Sequence, residues 1–251
     1  MGNEHLARFW LALQFLTRLP VQTDDVWSPA RMRFTPAYYP AVGMLVGLIT
    51  GVLALVAAAL FPPVVAVIAS TLGGLLVTGA LHEDGLADLC DGLGGGQTKE
   101  RALEIMRDSR LGTFGVLALV MALAGKVAAL AALPVWALPL VLIAGHTASR
   151  ASMLVVMATA DYARDQGAGS AVAGGVSAAM LRVAALTTAL ALLPLLLMPL
   201  ALLGGLLGLV FGHAALRQRF VARLGGYTGD CLGAIQQVSE IGFYLGVLAL
   251  I

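Results

Sequence analysis

Charge is scarce in this 251-residue chain: 12% of its residues are Asp, Glu, Lys or Arg, and the formal net charge is +1. No stripe of Lys and Arg runs through it, which argues against nucleic acid as a partner, because holding a phosphate backbone needs clustered cations. Cysteine is nearly absent. Cys90 and Cys231 are the two present, too few for a disulfide framework and without zinc-ligand spacing, so they read as reduced thiols. The short apolar stretch from Phe9 to Leu16 is followed by Arg18 and Pro20 rather than by a small-residue cleavage site, so it reads as a retained helix at a membrane surface. Low-complexity tracts and repeats of fixed period are missing as well.

What fills the chain instead is apolar. Hydrophobic residues make up 59% of it and the mean hydropathy is +0.91, more apolar surface than a water-soluble domain can hide. The expected fold is all-α: a single polytopic transmembrane helix bundle over residues 1–251, with residues 1–39 as an N-terminal surface helix and loop. Spans of about 20 residues cross the hydrocarbon core. Seven are expected, near Pro40 to Leu60, Val64 to Leu81, Thr113 to Leu133, Trp136 to Ala158, Leu181 to Leu193, Leu200 to His213 and Gly233 to Ile251. The fifth and sixth form one apolar block interrupted by Pro194 and Pro199, either a tight hairpin or one kinked helix. Cations choose between these. Arg8, Arg18, Arg31 and Arg33 precede the first span; Lys99, Arg101, Arg107 and Arg110 follow the second; Arg164 and Arg182 follow the fourth; Arg217, Arg219 and Arg223 precede the last. Alternate connections are thus basic, and the positive-inside rule puts all four in the cytoplasm only if residues 194–199 turn outside.

Against this background residues 82–92 stand out: His82-Glu83-Asp84-Gly85-Leu86-Ala87-Asp88-Leu89-Cys90-Asp91-Gly92. In a helix Asp84, Asp88 and Asp91 share one stripe at i, i+4 and i+7. Three like charges so placed repel unless a cation joins them, and hard oxygen ligands suit Mg2+ or Mn2+ completed by water and substrate phosphate. The expected site is therefore an acidic helix end on the cytoplasmic side, within the segment 82–111. Thr98 to Arg110 reads as a short surface helix with Thr98 as N-cap, returning Asp108 and Arg110 to the neighbourhood of Asp91.

Ionisable residues at bilayer depth serve a site or find a partner. Lys126 is balanced between a structural ion pair and a substrate phosphate. His146 and Arg150, at i and i+4, share a face; Arg150 is favoured as a phosphate ligand, whereas His146 is at least as well explained as a hydrogen-bonded structural histidine. Gln236, Gln237 and Glu240 lie within two turns of Asp230, with Glu240 facing the site or pairing with Arg. Glycines gather around the polar segments at 92–96 and at Gly225, Gly226, Gly229 and Gly233, where bare amides can cradle phosphate. Gly43, Gly47, Gly73, Gly74 and Gly79 are read as packing.

The residues also carry a resemblance. His82-x-Asp84-Gly85-x-x-Asp88-x-x-Asp91-Gly92, followed by Ile105-Met106-Arg107-Asp108-Ser109-Arg110-Leu111-Gly112-Thr113-Phe114-Gly115, resembles the signature of the cobalamin-5'-phosphate synthase (adenosylcobinamide-GDP ribazoletransferase) family. Matching blocks recur in family order at Leu16 to Pro20, at Tyr39-Pro40 with Gly43 and Gly47, at Tyr162-Ala163-Arg164 with Gly167 and Gly169, and from Gly225 to Ala234. The resemblance implies a late step of vitamin B12 assembly in the cytoplasmic membrane: adenosylcobinamide-GDP is joined to alpha-ribazole or its 5'-phosphate, GMP leaves, and Mg2+ is required. The expected metal ligands are Asp84, Asp88, Asp91 and Asp230. Asp108, Arg110 and Asp91 are the expected catalytic residues, with Asp108 orienting or deprotonating the attacking hydroxyl. Substrate contacts fall to His82, Arg150, Arg164, Lys126, Gly226 and Gly229. The bilayer is a further partner, and a homo-oligomer stays open. Two rival readings remain. A CDP-alcohol phosphotransferase-like lipid enzyme wants Ala-Arg where Ala87-Asp88 stands, and an ion or proton transporter would use Lys126, Arg150 and Glu240 as pathway charges.

Overall fold

A computed structural model describes residues 2–23, 25–163 and 175–251. Among them the chain is helical, with one isolated bridge between Tyr162 and Tyr227 as the exception. Eleven α-helices follow in order: α1 Gly2–Leu16, α2 Pro29–Phe34, α3 Tyr39–Ala58, α4 Pro63–Thr78, α5 Leu81–Gly95, α6 Lys99–Ile105, α7 Thr113–Ala131, α8 Leu138–Thr159, α9 Ala178–Leu192, α10 Pro199–Leu224 and α11 Gly229–Leu250. Among the described residues six helical runs are long and apolar enough to cross a membrane, and the bent pair α4 and α5 makes a seventh if taken as one crossing. The all-α, roughly seven-span bundle is thus the fold observed.

Burial sorts the helices. In α8 and α11, 78% and 67% of the most apolar window is buried, against 22% in α7, α9 and α10. The first two therefore form the axis, while leucines such as Leu76, Leu186 and Leu207 face outward. Glycine sets how closely they pack. Gly204, Gly208 and Gly212 on α10 meet Gly242, Gly246 and the Val238 carbonyl on α11, and a Cβ at Gly204 or Gly208 would overlap the carbonyl of Gly246 or Gly242. Small residues four apart let two backbones approach this far. Gly43, Gly47 and Gly51 do the same for α3 against the backbone of α8.

The two ends of the bundle differ in charge. Arg217 donates to the Thr159 carbonyl at 2.9 Å and Arg223 to the Gly96 carbonyl, so α5, α8 and α10 finish together. The Arg18 amide donates to Val77 at the close of α4, and Met180 of α9 shares a core with Leu16 and Tyr38. The opposite end gathers Ala54, Val67, Leu133, Ala137 and Leu195, and connections 59–62, 132–134 and 193–198 carry no charged residue.

Three boundaries depart from the sequence reading. The tenth helix does not stop at His213 but continues to Leu224, because Arg217, Arg219 and Arg223 can carry a helix past the hydrocarbon edge with their charged heads in water. Pro194 and Pro199 do separate two helices, through a 3-10 turn at Leu193–Leu197. They do not form a tight hairpin: α9 packs on α8 and α3, and α10 on α11. The surface helix after Thr98 ends at Ile105, short of Arg110.

A fourth difference positions the site. Residues 82–92 are not the end of a span; they are the body of α5, which leaves α4 at 89°. The corner is Gly79 and Ala80, both left-handed at φ 66° and 55°. Gly79 takes that conformation freely, whereas Ala80 holds it at a cost of about 1 kcal/mol.

Candidate active site

Helix α5 crosses the basic end of the bundle and shows a different chemistry on each side. Gly85 lies against the backbone of Asp230, and Gly233 against His82, so α5 and α11 touch through glycine. Leu86 and Leu89 enter the core, and Gly92 receives Met106 of the region just after α6. That leaves Asp84 exposed and Asp88 half-buried on the open side. Both line a chamber of about 630 Å³, whose wall also includes Gln14, Arg18, Glu83 and Ser109.

Asp91 takes a different part. Its two oxygens accept the amides of Gly112 and Gly115, each at 2.8 Å. It is the N-terminal cap of α7, supplied from 21 residues away, and Gly112 and Gly115 leave room for it because a Cβ at either would overlap the carboxylate. The three aspartates share a helix but not a cavity. Asp91 lines a second recess of about 340 Å³ together with Asp108, Arg110 and Thr113.

In that recess Arg110 grips Asp108 through Nε at 3.0 Å to both oxygens and Nη2 at 2.5 Å, while the Arg110 amide adds a bond at 3.1 Å. These bonds hold the Asp108 carboxyl down at about 2. A carboxylate so stabilised is a poor proton acceptor near neutral pH. The charge contact persists until pH falls through the folded-state value, well below the unfolded reference of 3.8.

A second polar cluster lies deeper, between α7, α8 and α11. Glu240 Oε1 stands 2.8 Å from Lys126 Nζ, and Oε2 stands 2.7 Å from His146 Nδ1. Gln236 donates to Glu240 and to Ser149, Gln237 donates to Gln236, and Lys126 donates to Gln237 at 3.0 Å. Arg150, 1% exposed, donates to the His146 carbonyl at 3.0 Å. His82, Lys126, His146 and Arg150 enclose about 20 Å³, room for a water and not for a nucleotide. Here Lys126 is a structural ion pair, and neither it nor Arg150 is on the wall of the large chamber. His82 faces the same enclosed cluster.

The remaining expected residues lie around the start of α11. Gly226 leaves room for the Asp161 carbonyl, which accepts the Tyr227 amide at 2.8 Å, so it serves the bridge to Tyr162. Gly229 opens on free space. Asp230 puts its backbone against Gly85 and its Oδ2 at 3.4 Å from the Thr228 hydroxyl, and is not on the chamber wall. Arg164, Gly167 and Gly169 lie outside the described residues. Residues the sequence reading left out of the site are Glu83, buried with Oε2 making no hydrogen bond among the described residues, and Arg18 and Ser109 on the chamber wall. The signal for Arg18 was there: it sits inside one of the motif blocks, Leu16 to Pro20.

The donor set suits a hard divalent cation only as an open site. Mg2+ is held by one or two carboxylates and completes its octahedron with water and substrate phosphate, which Asp84 and Asp88 one turn apart on a roomy chamber can provide. Among the described residues no group of three or more His, Cys, Asp or Glu could hold a metal ion.

Fold and site together define a polytopic helical membrane protein with an acid-lined chamber at the basic end of its bundle. The family model described as Cobalamin-5-phosphate synthase matches residues 8–248. Proteins named Adenosylcobinamide-GDP ribazoletransferase from Vibrio cholerae serotype O1, Polaromonas sp. and Leptothrix cholodnii are 40%, 38% and 42% identical, over 97%, 98% and 98% of this chain and 94%, 97% and 96% of theirs. No solved structure matches the chain. The chain belongs to the cobalamin-5-phosphate synthase family, and it is a transferase of cobalamin synthesis. The lipid-enzyme and transporter readings give way.

Proposed function

We propose that the protein transfers the adenosylcobinamide phosphate group of adenosylcobinamide-GDP to the 3'-hydroxyl of alpha-ribazole or its 5'-phosphate, with Mg2+, at the cytoplasmic face of the cytoplasmic membrane. The hydroxyl oxygen bonds to the phosphorus that carries the corrinoid, the bond from that phosphorus to the bridging oxygen breaks, and GMP leaves with the bridging oxygen. The observation that carries this reading is that Asp84 and Asp88 open side by side onto a chamber of about 630 Å³ in a chain matched end to end by the family. Mg2+, when bound there, neutralises charge developing on the diphosphate. Asp84 and Asp88 supply its carboxylate ligands. Asp108, held strongly acidic by Arg110, orients the attacking hydroxyl as an acceptor, and the hydroxyl's proton passes to water in the open chamber. Asp91 acts through structure, fixing the turn at 109–112 that brings Ser109 to the chamber and keeps Asp108 in the neighbouring recess.

The test is GMP release by the purified full-length protein in detergent, with adenosylcobinamide-GDP and alpha-ribazole, with Mg2+ and with chelator. Release should stop with chelator and return with Mg2+. Asp84→Asn and Asp88→Asn should each cut it by about 100-fold or more while the helical circular dichroism is kept. Full activity in either variant removes that residue from the site.

A further inference from the structure

Most cations near the site are already committed. Arg110 is held by Asp108, Arg31 by Glu4 and Arg101 by Glu104, while Arg217 and Arg223 bind backbone carbonyls. Arg18 is exposed, and no ion pair holds it among the described residues. Among the described residues Lys99, Arg107 and Arg219 have no ion pair either, but they are not on the chamber wall; Arg18 is. Of the described residues lining the large chamber it is the one cation, and Glu83, Asp84 and Asp88 line the same chamber.

Its position is built by the local sequence. Helix α1 stops at Leu16; the Thr17 hydroxyl turns back to the Leu13 carbonyl at 2.7 Å, and Pro20 prevents the helix from resuming. The Arg18 amide then donates at 2.7 Å to the Val77 carbonyl, one of those left open where α4 ends. The side chain lies across Gly79 at the 89° corner. A Cβ at Gly79 would come 2.9 Å from Arg18 Cγ and overlap Nε. Glycine at 79 therefore does two things: it takes the left-handed turn, and it leaves the surface over which the guanidinium extends toward the chamber.

Chemistry gives this arrangement a ligand. A diphosphate bridged to two carboxylates by a dication still has non-bridging oxygens with negative charge, and guanidinium binds such oxygens through two parallel N–H donors. We infer that Arg18 binds the diphosphate of the nucleotide-activated donor from the side opposite Asp84 and Asp88, and that Gly79 is the platform that sets its reach. The inference rests on the reaction proposed above.

Two measurements test it separately from that reaction. In the GMP-release assay Arg18→Ala should raise the KM for adenosylcobinamide-GDP roughly 10- to 100-fold and leave the KM for alpha-ribazole within about twofold. Arg18→Lys should fall between, methylguanidinium should restore part of the Ala variant's activity, and Gly79→Ala should reproduce the donor defect. Titration of the detergent-solubilised protein with inorganic pyrophosphate and Mg2+ reads the same contact without turnover, and Arg18→Ala should weaken binding by a similar factor. Should Arg18→Ala fail to fold, Arg18→Gln, which keeps the bulk, takes its place in both measurements. Unchanged donor KM and pyrophosphate affinity overturn the inference, as does an equal rise in both KM values without rescue. If the wild-type protein releases no GMP, the proposed reaction fails, and Arg18 is still judged by pyrophosphate.

Discussion

At the scale of single residues, carboxylates do three different jobs. Asp84 and Asp88 face the chamber, Asp91 caps α7, and Glu240 neutralises Lys126 in the bundle interior. Replacing Asp91 by Ala leaves the amides of Gly112 and Gly115 without acceptors, so thermal unfolding in detergent should show a loss of about 1–2 kcal/mol. GMP release by the surviving folded protein should fall far less than in Asp84→Asn. For Lys126 and Glu240 the asymmetry of buried charge applies. Lys126→Met or Glu240→Gln alone strands its partner and should destabilise by about 3–5 kcal/mol, while the double variant should recover much of that loss. Equal losses in singles and double would show that the pair is not coupled. The common stripe of Asp84, Asp88 and Asp91 was legible from spacing. The separate duty of Asp91 was not, because capping rules read neighbours along the chain and this cap comes from another helix.

At the scale of elements, the decisive features are close backbone approaches and one corner. Where α10 meets α11, Gly204, Gly208, Gly212, Gly242 and Gly246 each face a carbonyl of the other helix, so a side chain there must push the axes apart. Gly208→Leu or Gly242→Leu should destabilise the protein by about 1–3 kcal/mol or more through overpacking, seen as a lower midpoint in detergent unfolding. A change of Leu207, which faces outward, to Ala should move it little. Apolar length and the prolines made most spans readable. The 89° bend between α4 and α5 was not: Gly79, read as packing, is instead the left-handed end of α4, and the left-handed Ala80 beside it carries no local signature.

At the scale of the whole molecule, the basic connections meet at one end and the uncharged ones at the other, and the chamber lies at the basic end. With the proposed orientation, single cysteines introduced at Gln97 or Ser109 should be labelled by an impermeant thiol reagent only after the inner face is exposed, and one at Leu60 from the outer face. The background for this experiment is Cys90→Ala with Cys231→Ala. Labelling of Gln97→Cys from outside would reverse the topology. What the sequence alone determined is the class of structure, a bundle of about six to seven crossings, and which connections share an end of it, since hydrophobic length and the alternation of cations act through the membrane whatever the packing. Only the tertiary structure decided which acids share a chamber, which polar residues are spent on one another in the interior, and that Arg18, lying against Gly79 at the corner, lines the chamber with the acids. Those outcomes depend on contacts between helices far apart in the chain, and no local pattern of residues encodes such distances.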